Sequence, residues 1–302
     1  MKKLLIIGGS GLVGNTLIKY GINEYEIFAT YNKNELSGNN IKTFKIDLFH
    51  NSDAIIELIT KINPDIVVHT AAHSSVDLCE TNQESADKLH VKISKDIANI
   101  CAKINSKLIY FSTDWVFEGE IGKKYTENDT PNPVNYYGRT KFAAENIILK
   151  CSSNNVVLRT AVIYGYHKRS RFTNWILPYL SQNKMVDPFS DQYGTPTLVD
   201  DLVKAVLKII QFNVKGLFHA AGKTCLNRYE FALILSDIFG LDKSLIKSVT
   251  KHDKKQDAPR PISTCLDSKK LENLISFDFS NVESGVQFIH TQFRNNNSIL
   301  MQ

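Results

Sequence analysis

The sequence predicts an α/β protein, a doubly wound parallel sheet with helices on both faces and a smaller C-terminal lobe. Three observations carry this expectation. Short apolar runs alternate with longer helix-like stretches. Two of the runs, Ile66-Val67-Val68 and Leu108-Ile109-Tyr110-Phe111, are apolar without alternation, as strands buried on both faces are. A glycine-rich turn joins the first run to the first helix-like stretch.

In order, Leu4–Ile7, Glu26–Tyr31, Thr43–Ile46, Ile66–His69 and Leu108–Phe111 are the expected strands. Leu12–Tyr20, Ala54–Ile62, Glu84–Ala102 and Tyr136–Leu149 are the expected helices, and such a series builds a parallel sheet. Past about residue 165 the alternation loosens. A polar loop, Tyr166–Thr173, precedes helices near Asn174–Leu180 and Val199–Ile210. A strand at Gly216–Ala220 and a helix at Arg228–Phe239 follow. Residues 1–165 are therefore expected to form the sheet domain. Residues 166–302 should form mainly the second lobe, with some segments returning to the sheet, and the asparagine-rich residues 295–298 should fray.

Composition excludes several classes. The 302 residues are 43% hydrophobic and 22% charged, which suits a globular protein. The net charge of +5 comes from scattered lysines rather than a stripe, so no nucleic-acid partner is expected. The five cysteines are odd in number and contain no C-x-x-C, which argues against a zinc cluster or a disulfide framework. The histidines show no metal-ligand spacing. The apolar run at the N-terminus stops at Gly8-Gly9, too short for a signal peptide, and no stretch reaches the ~18 apolar residues of a membrane span. A cytoplasmic protein without a membrane partner is expected.

The turn Gly8-Gly9-Ser10-Gly11-Leu12-Val13-Gly14 is a G-x-x-G-x-x-G loop between strand and helix. Glycines there let backbone N–H groups approach a pyrophosphate, and the helix N-terminus attracts the anion. Gly8, Ser10, Gly11, Leu12 and Val13 are accordingly candidates for binding a nicotinamide dinucleotide on a Rossmann-type sheet. The second strand ends Tyr31-Asn32-Lys33 with no carboxylate for a ribose 2′-hydroxyl. Lys33 either faces a 2′-phosphate or is a solvated turn lysine, and the pattern favours NADP(H) over NAD(H). Asp47, beside Leu48, either accepts from an adenine amino group or caps the helix starting near Ser52. Thr70, Ala71, Ala72, His73 and Ser74, mostly small, leave room for a cofactor or simply pack a turn.

Tyr137 and Lys141 stand four apart on one helix face. A lysine ammonium there is expected to lower the tyrosine pKa toward working range. Thr113, ending the preceding strand, offers a hydroxyl beside Tyr137. The basic loop holding Arg169 and Arg171 either pairs with a diphosphate or is solvated.

Taken in order, the glycine loop, Asp47-Leu48, Thr70-Ala71-Ala72, Ser112-Thr113-Asp114 and Tyr137/Lys141 resemble the extended short-chain dehydrogenases. The strings Ala71–Asp77, Ser112–Phe117, Leu158–Gly165 and Asp191–Thr197 narrow the resemblance to the dTDP-4-dehydrorhamnose reductase family. It implies reduction of the C4 ketone of a nucleotide-linked 4-keto-6-deoxy sugar, with Thr113, Tyr137 and Lys141 catalytic and Tyr137 the proton donor. It implies further that Ser74, Asp114, Trp115, Val162 and Gln192 contact the substrate, needs no metal, and admits a homodimer. Trp115 stands where the family usually has tyrosine, Val162 where it often has tryptophan, and His90 where it has asparagine. Two alternatives remain: a sugar-nucleotide epimerase or dehydratase of the same fold, and a regulatory subunit resembling that of methionine adenosyltransferase.

Overall fold

The computed structural model describes residues 1–38 and 40–295. Its eleven strands are β1 (Lys2–Ile7), β2 (Tyr25–Tyr31), β3 (Ile41–Lys45), β4 (Ile66–His69), β5 (Lys107–Thr113), β6 (Val156–Thr160), β7 (Ile163–Tyr164), β8 (Tyr193–Gly194), β9 (Thr197–Leu198), β10 (Gly216–His219) and β11 (Leu226–Asn227). In the first half run α1 (Leu12–Gly21), α2 (Asp53–Ile62), α3 (Val76–Thr81), α4 (Gln83–Ala86), α5 (Ile93–Lys103) and α6 (Tyr136–Cys151). The second half carries α7 (Arg171–Ser181), α8 (Val199–Gln211), α9 (Arg228–Phe239), α10 (Lys269–Ile275) and α11 (Val282–Asn295).

Seven strands make one parallel sheet in the order β3-β2-β1-β4-β5-β6-β10. The order reverses between β1 and β4, and a crevice opens at the carboxyl ends of the strands there. Side chains alternate along each strand, so Leu4 and Ile6 join one core while Leu5 and Ile7 join the other. The first core is closed by α1, α8 and α10, and the second by α2, α5 and α6. A third apolar cluster holds the second lobe, with Ile176 and Leu180 of α7, Phe231 and Leu235 of α9, and Val286 and Ile289 of α11.

Helix α6 is tied to the sheet by charge as well as packing. Arg159 of β6 donates two bonds to one carboxylate oxygen of Glu145 and a third to the other, at 2.8–3.2 Å, with both side chains 2% exposed. Removing one partner of such a pair costs ~3–5 kcal/mol, because the other charge is left buried.

Two expectations are corrected. The single helix expected over Glu84–Ala102 is three consecutive pieces, α4, a π-helical turn at Asp87–Lys92 and α5. Asn82 starts the run by capping α4 with its side chain, and the change of hydrogen-bond period at Asp87–Lys92 is one that apolar spacing does not register. Cys225 and Cys265, 40 residues apart, are joined in a disulfide. Spacing concealed the pair because their proximity arises from tertiary packing: β11 pairs with β8, and Tyr193 of β8 bridges to Ser263. Of the asparagine-rich end, residues 296–298 lie outside the described residues, and Asn295 closes α11.

Candidate active site

A cleft of about 970 Å³ lies over the switch point, lined by the glycine loop, the ends of β2, β4 and β5, the start of α6 and the loop before α7. Gly8 adopts φ +91°, and a Cβ there would sit 2.8 Å from Thr70 Oγ1. A Cβ on Gly14 would run into the Gly8 carbonyl. The loop therefore depends on glycine at both places. Thr30 fastens it from the neighbouring strand, its hydroxyl accepting from Gly8 N at 3.1 Å and its carbonyl from Gly9 N at 2.7 Å. Gly11 begins α1 with no side-chain cap, and the first turn carries no acid. The amides of that turn are thus open to an anion.

Of the residues singled out from the sequence, Gly8, Ser10, Gly11, Leu12, Val13, Tyr31, Asn32, Asp47, Leu48 and the run Thr70–Ser74 all line the cleft. So do Thr113, Asp114, Trp115, Tyr137, Lys141, Val162, Arg169 and Arg171. Lys33 is exposed and outside the lining, and Gln192 donates to Gln256 at 2.7 Å instead of facing the cleft. Asp47 does not cap α2; its carboxylate accepts from the amides of Phe49 and His50 and from the His50 ring.

Tyr137 and Thr113 line the cleft together, and the Thr113 hydroxyl donates to Asp114 Oδ1 at 3.0 Å. Thr264 donates to the other Asp114 oxygen at 2.5 Å. Burial drives the Asp114 carboxyl up to about 6. Burial, and then the Asp114 charge, also hold the Tyr137 phenol well above its ordinary value. The expected lowering by Lys141 is therefore corrected. The Lys141 ammonium donates to the Phe111 carbonyl at 2.6 Å and lies 4.0 Å from the centre of the Tyr110 ring. Burial brings its own pKa down to about 7.

Three features escaped sequence reasoning. Val162 sits at φ +42°, a conformation β-branched residues avoid and no residue pattern announces. Trp115 stands edge-on to Tyr137, with the Arg260 guanidinium 5.3 Å from its ring centre and anchored to Asp77. Arg171 spans the cleft to donate to the Ser74 carbonyl at 3.0 Å.

The family model for the RmlD substrate binding domain matches residues 1–295. The chain belongs to this family. It is 27% identical to the dTDP-4-dehydrorhamnose reductase of Aggregatibacter actinomycetemcomitans, over 90% of this chain and 92% of that one. It is 31% identical to methionine adenosyltransferase 2 subunit beta of Rattus norvegicus, over 90% of this chain and 82% of that one. Among solved structures, a hypothetical dTDP-4-dehydrorhamnose reductase from Sulfolobus tokodaii superposes with TM-score 0.83 at 31% identity, over 94% and 98% of the two chains. The RmlD-type relatives are reductases by name.

Proposed function

We propose that the chain reduces the C4 ketone of a 4-keto-6-deoxy sugar carried on a nucleoside diphosphate, with NADPH as reductant and Tyr137 as proton donor. The observation that carries this reading is that Thr113, at the carboxyl end of β5, and Tyr137 and Lys141 of α6 line the same cleft as the glycine loop.

The residues present fit a nicotinamide dinucleotide. The open first turn of α1 and the side-chain-free approach at Gly8 suit a pyrophosphate. The hydroxyls of Ser112 and Thr160 also line the cleft, buried and without a hydrogen-bond partner among the described residues, so they can serve a polar group at the nicotinamide end. The relative from Bacillus anthracis was solved in complex with NADP, and β2 here ends without an acid.

When bound, NADPH supplies the hydride to the carbonyl carbon. The chain's own groups do the rest. Thr113 and Tyr137 orient the carbonyl oxygen, and Tyr137, kept protonated by burial, gives it a proton. Lys141, its ammonium on the Phe111 carbonyl, would bond the nicotinamide ribose in this reading. Trp115 and Val162 border the sugar, while Arg169 and Arg171 stand at the mouth.

The test is NADPH oxidation followed by absorbance with dTDP- and UDP-linked 4-keto-6-deoxy sugars. Turnover with at least one is expected. NADPH binding without oxidation across that panel would overturn the reading. The 31% identity to methionine adenosyltransferase 2 subunit beta favours a second reading, an associating subunit. Co-elution with a methionine adenosyltransferase catalytic subunit and no ketone reduction would support it.

A further inference from the structure

The arginines around the cleft are not equally engaged. Arg260 donates to Asp77 and to the Ala258 carbonyl and lies over Trp115. Arg171 donates to the Ser74 carbonyl. Arg228 also lines the cleft, yet its Nη1 is buried and has no hydrogen-bond partner among the described residues. A buried guanidinium nitrogen without an acceptor costs free energy until something supplies one.

The neighbouring carboxylate does not supply it. Asp114 accepts from Thr113 on one oxygen and from Thr264 on the other. No ion pair joins it to Arg228 among the described residues. Between the two lies Gly194: the position a Cβ would take there is 3.8 Å from Arg228 Nη1 and 3.8 Å from Asp114 Oδ2. That position is also 3.4 Å from Val162 Cγ2, so the absent side chain leaves space of about one methyl group beside the guanidinium.

Arg228 is also held in place from its own chain. It opens α9 directly after Asn227, whose side chain accepts from Glu230 N at 2.8 Å while Glu230 accepts from Asn227 N at 2.9 Å. This capping box fixes the first turn. The preceding strand β11 is paired to β8 and flanked by the Cys225–Cys265 disulfide. A guanidinium fixed this way presents its fork at little further entropic cost.

We propose that Arg228 is the inner anchor for the diphosphate of the nucleotide-sugar substrate, with its Nη1 taking a phosphate oxygen through the gap at Gly194. The inference rests on the reading that the cleft takes a nucleotide sugar. Thr113 bonds Oδ1 of Asp114, whereas the Gly194 position shared with Arg228 Nη1 lies by Oδ2, and in this proposal a sugar with its ketone at Thr113 and Tyr137 extends its other end toward the guanidinium. The buried Arg228 then gives register, and the exposed Arg171 and half-buried Arg169 at the mouth contribute attraction from solvent.

The test is calorimetric titration of dTDP and of UDP, with thymidine and uridine as phosphate-free controls, into protein saturated with NADP+. Arg228→Met should weaken diphosphate binding at least tenfold, and Arg228→Lys, which keeps charge without the fork, should fall between. NADP+ affinity, unchanged within about twofold, shows that both variants are folded. Diphosphate affinity unchanged in both variants overturns the proposal, as does an equal loss for the phosphate-free nucleosides. Ketone reduction is not needed for this measurement. An Arg228 effect in a protein that reduces no ketone would keep the anchor and reject the reductase reading, whereas turnover with no Arg228 effect would do the reverse.

Discussion

Nε2 of His90 accepts a hydrogen bond from the backbone N–H of His73, 3.0 Å away. The acceptor role places the ring proton on Nδ1, which donates to the Thr140 hydroxyl at 2.9 Å, and Thr140 donates to the Tyr137 carbonyl at 3.0 Å. Burial holds the imidazole neutral, with its pKa down to about 2. One neutral ring thus ties the cofactor-side loop to the helix that carries Tyr137.

Replacing His90 with phenylalanine keeps most of the ring volume and deletes both bonds. The part-buried His73 amide then loses its acceptor, at ~1–3 kcal/mol, while the Thr140 hydroxyl keeps its bond to the Tyr137 carbonyl. Urea unfolding should show that loss, and NADP+ affinity should fall with it as the loop slackens. A variant with wild-type stability would mean the bridge contributes nothing.

Tyr137→Phe should lower kcat by ~100-fold or more, the scale of a lost general acid, with NADP+ affinity nearly unchanged. Steady-state turnover and a fluorescence titration separate the two effects. Turnover within threefold of wild type, with the chemical step limiting, would assign the proton to another group.

Asp114 gives a pH signature. With its carboxyl raised to about 6, the folded chain holds a proton between the ordinary aspartate range near ~4 and about pH 6 that the unfolded chain has released. More protons on the folded state means that this group's contribution to stability falls as pH rises through that window, with the cost complete above it. Asp114→Asn removes the titration and leaves a pH-independent offset from the changed threonine contacts. Urea midpoints at pH 4, 5, 6 and 7 should show the variant gaining on wild type from 4 to 6 and then running level. A constant difference would refute the raised carboxyl.

Cofactor choice should turn on the end of β2. Asn32 lines the cleft where no acid is present. Asn32→Asp places a carboxylate there that accepts from a ribose hydroxyl and repels a 2′-phosphate. The ratio of kcat/KM for NADPH over NADH, expected above one in the native chain, should drop at least tenfold. A native chain preferring NADH would reverse the assignment.

The sheet was legible because its central strands are buried on both faces, so Ile66–Val68 and Leu108–Phe111 announce themselves by unbroken apolarity. The glycine loop was legible because backbone approach restricts residue type at Gly8 and Gly14. What escaped depends on contacts distant along the chain. Thr264 reaches Asp114 across 150 residues, and Cys225 meets Cys265 through the pairing of β11 with β8. The π-helical turn around His90 follows a short capped helix, where apolar spacing alone suggested one continuous rod. Lys141 was misjudged because burial, which spacing cannot show, outweighs its proximity to Tyr137.

The seventh strand has a consequence for how relatives of this chain can be recombined. β10 comes from residues 216–219 yet pairs with β6, and α8 packs against α1, where Tyr20 donates to Asp200 at 2.8 Å. A fragment ending at Gly165 would bare the β6 edge and the apolar face of α1 together, inviting edge-to-edge association. Exchange of substrate specificity between homologues is therefore better made by grafting α7, α9 and α11 onto a host that keeps its own α8 and β10. The segments that build the sheet and those that build the second lobe are interleaved along the chain and do not divide at one point.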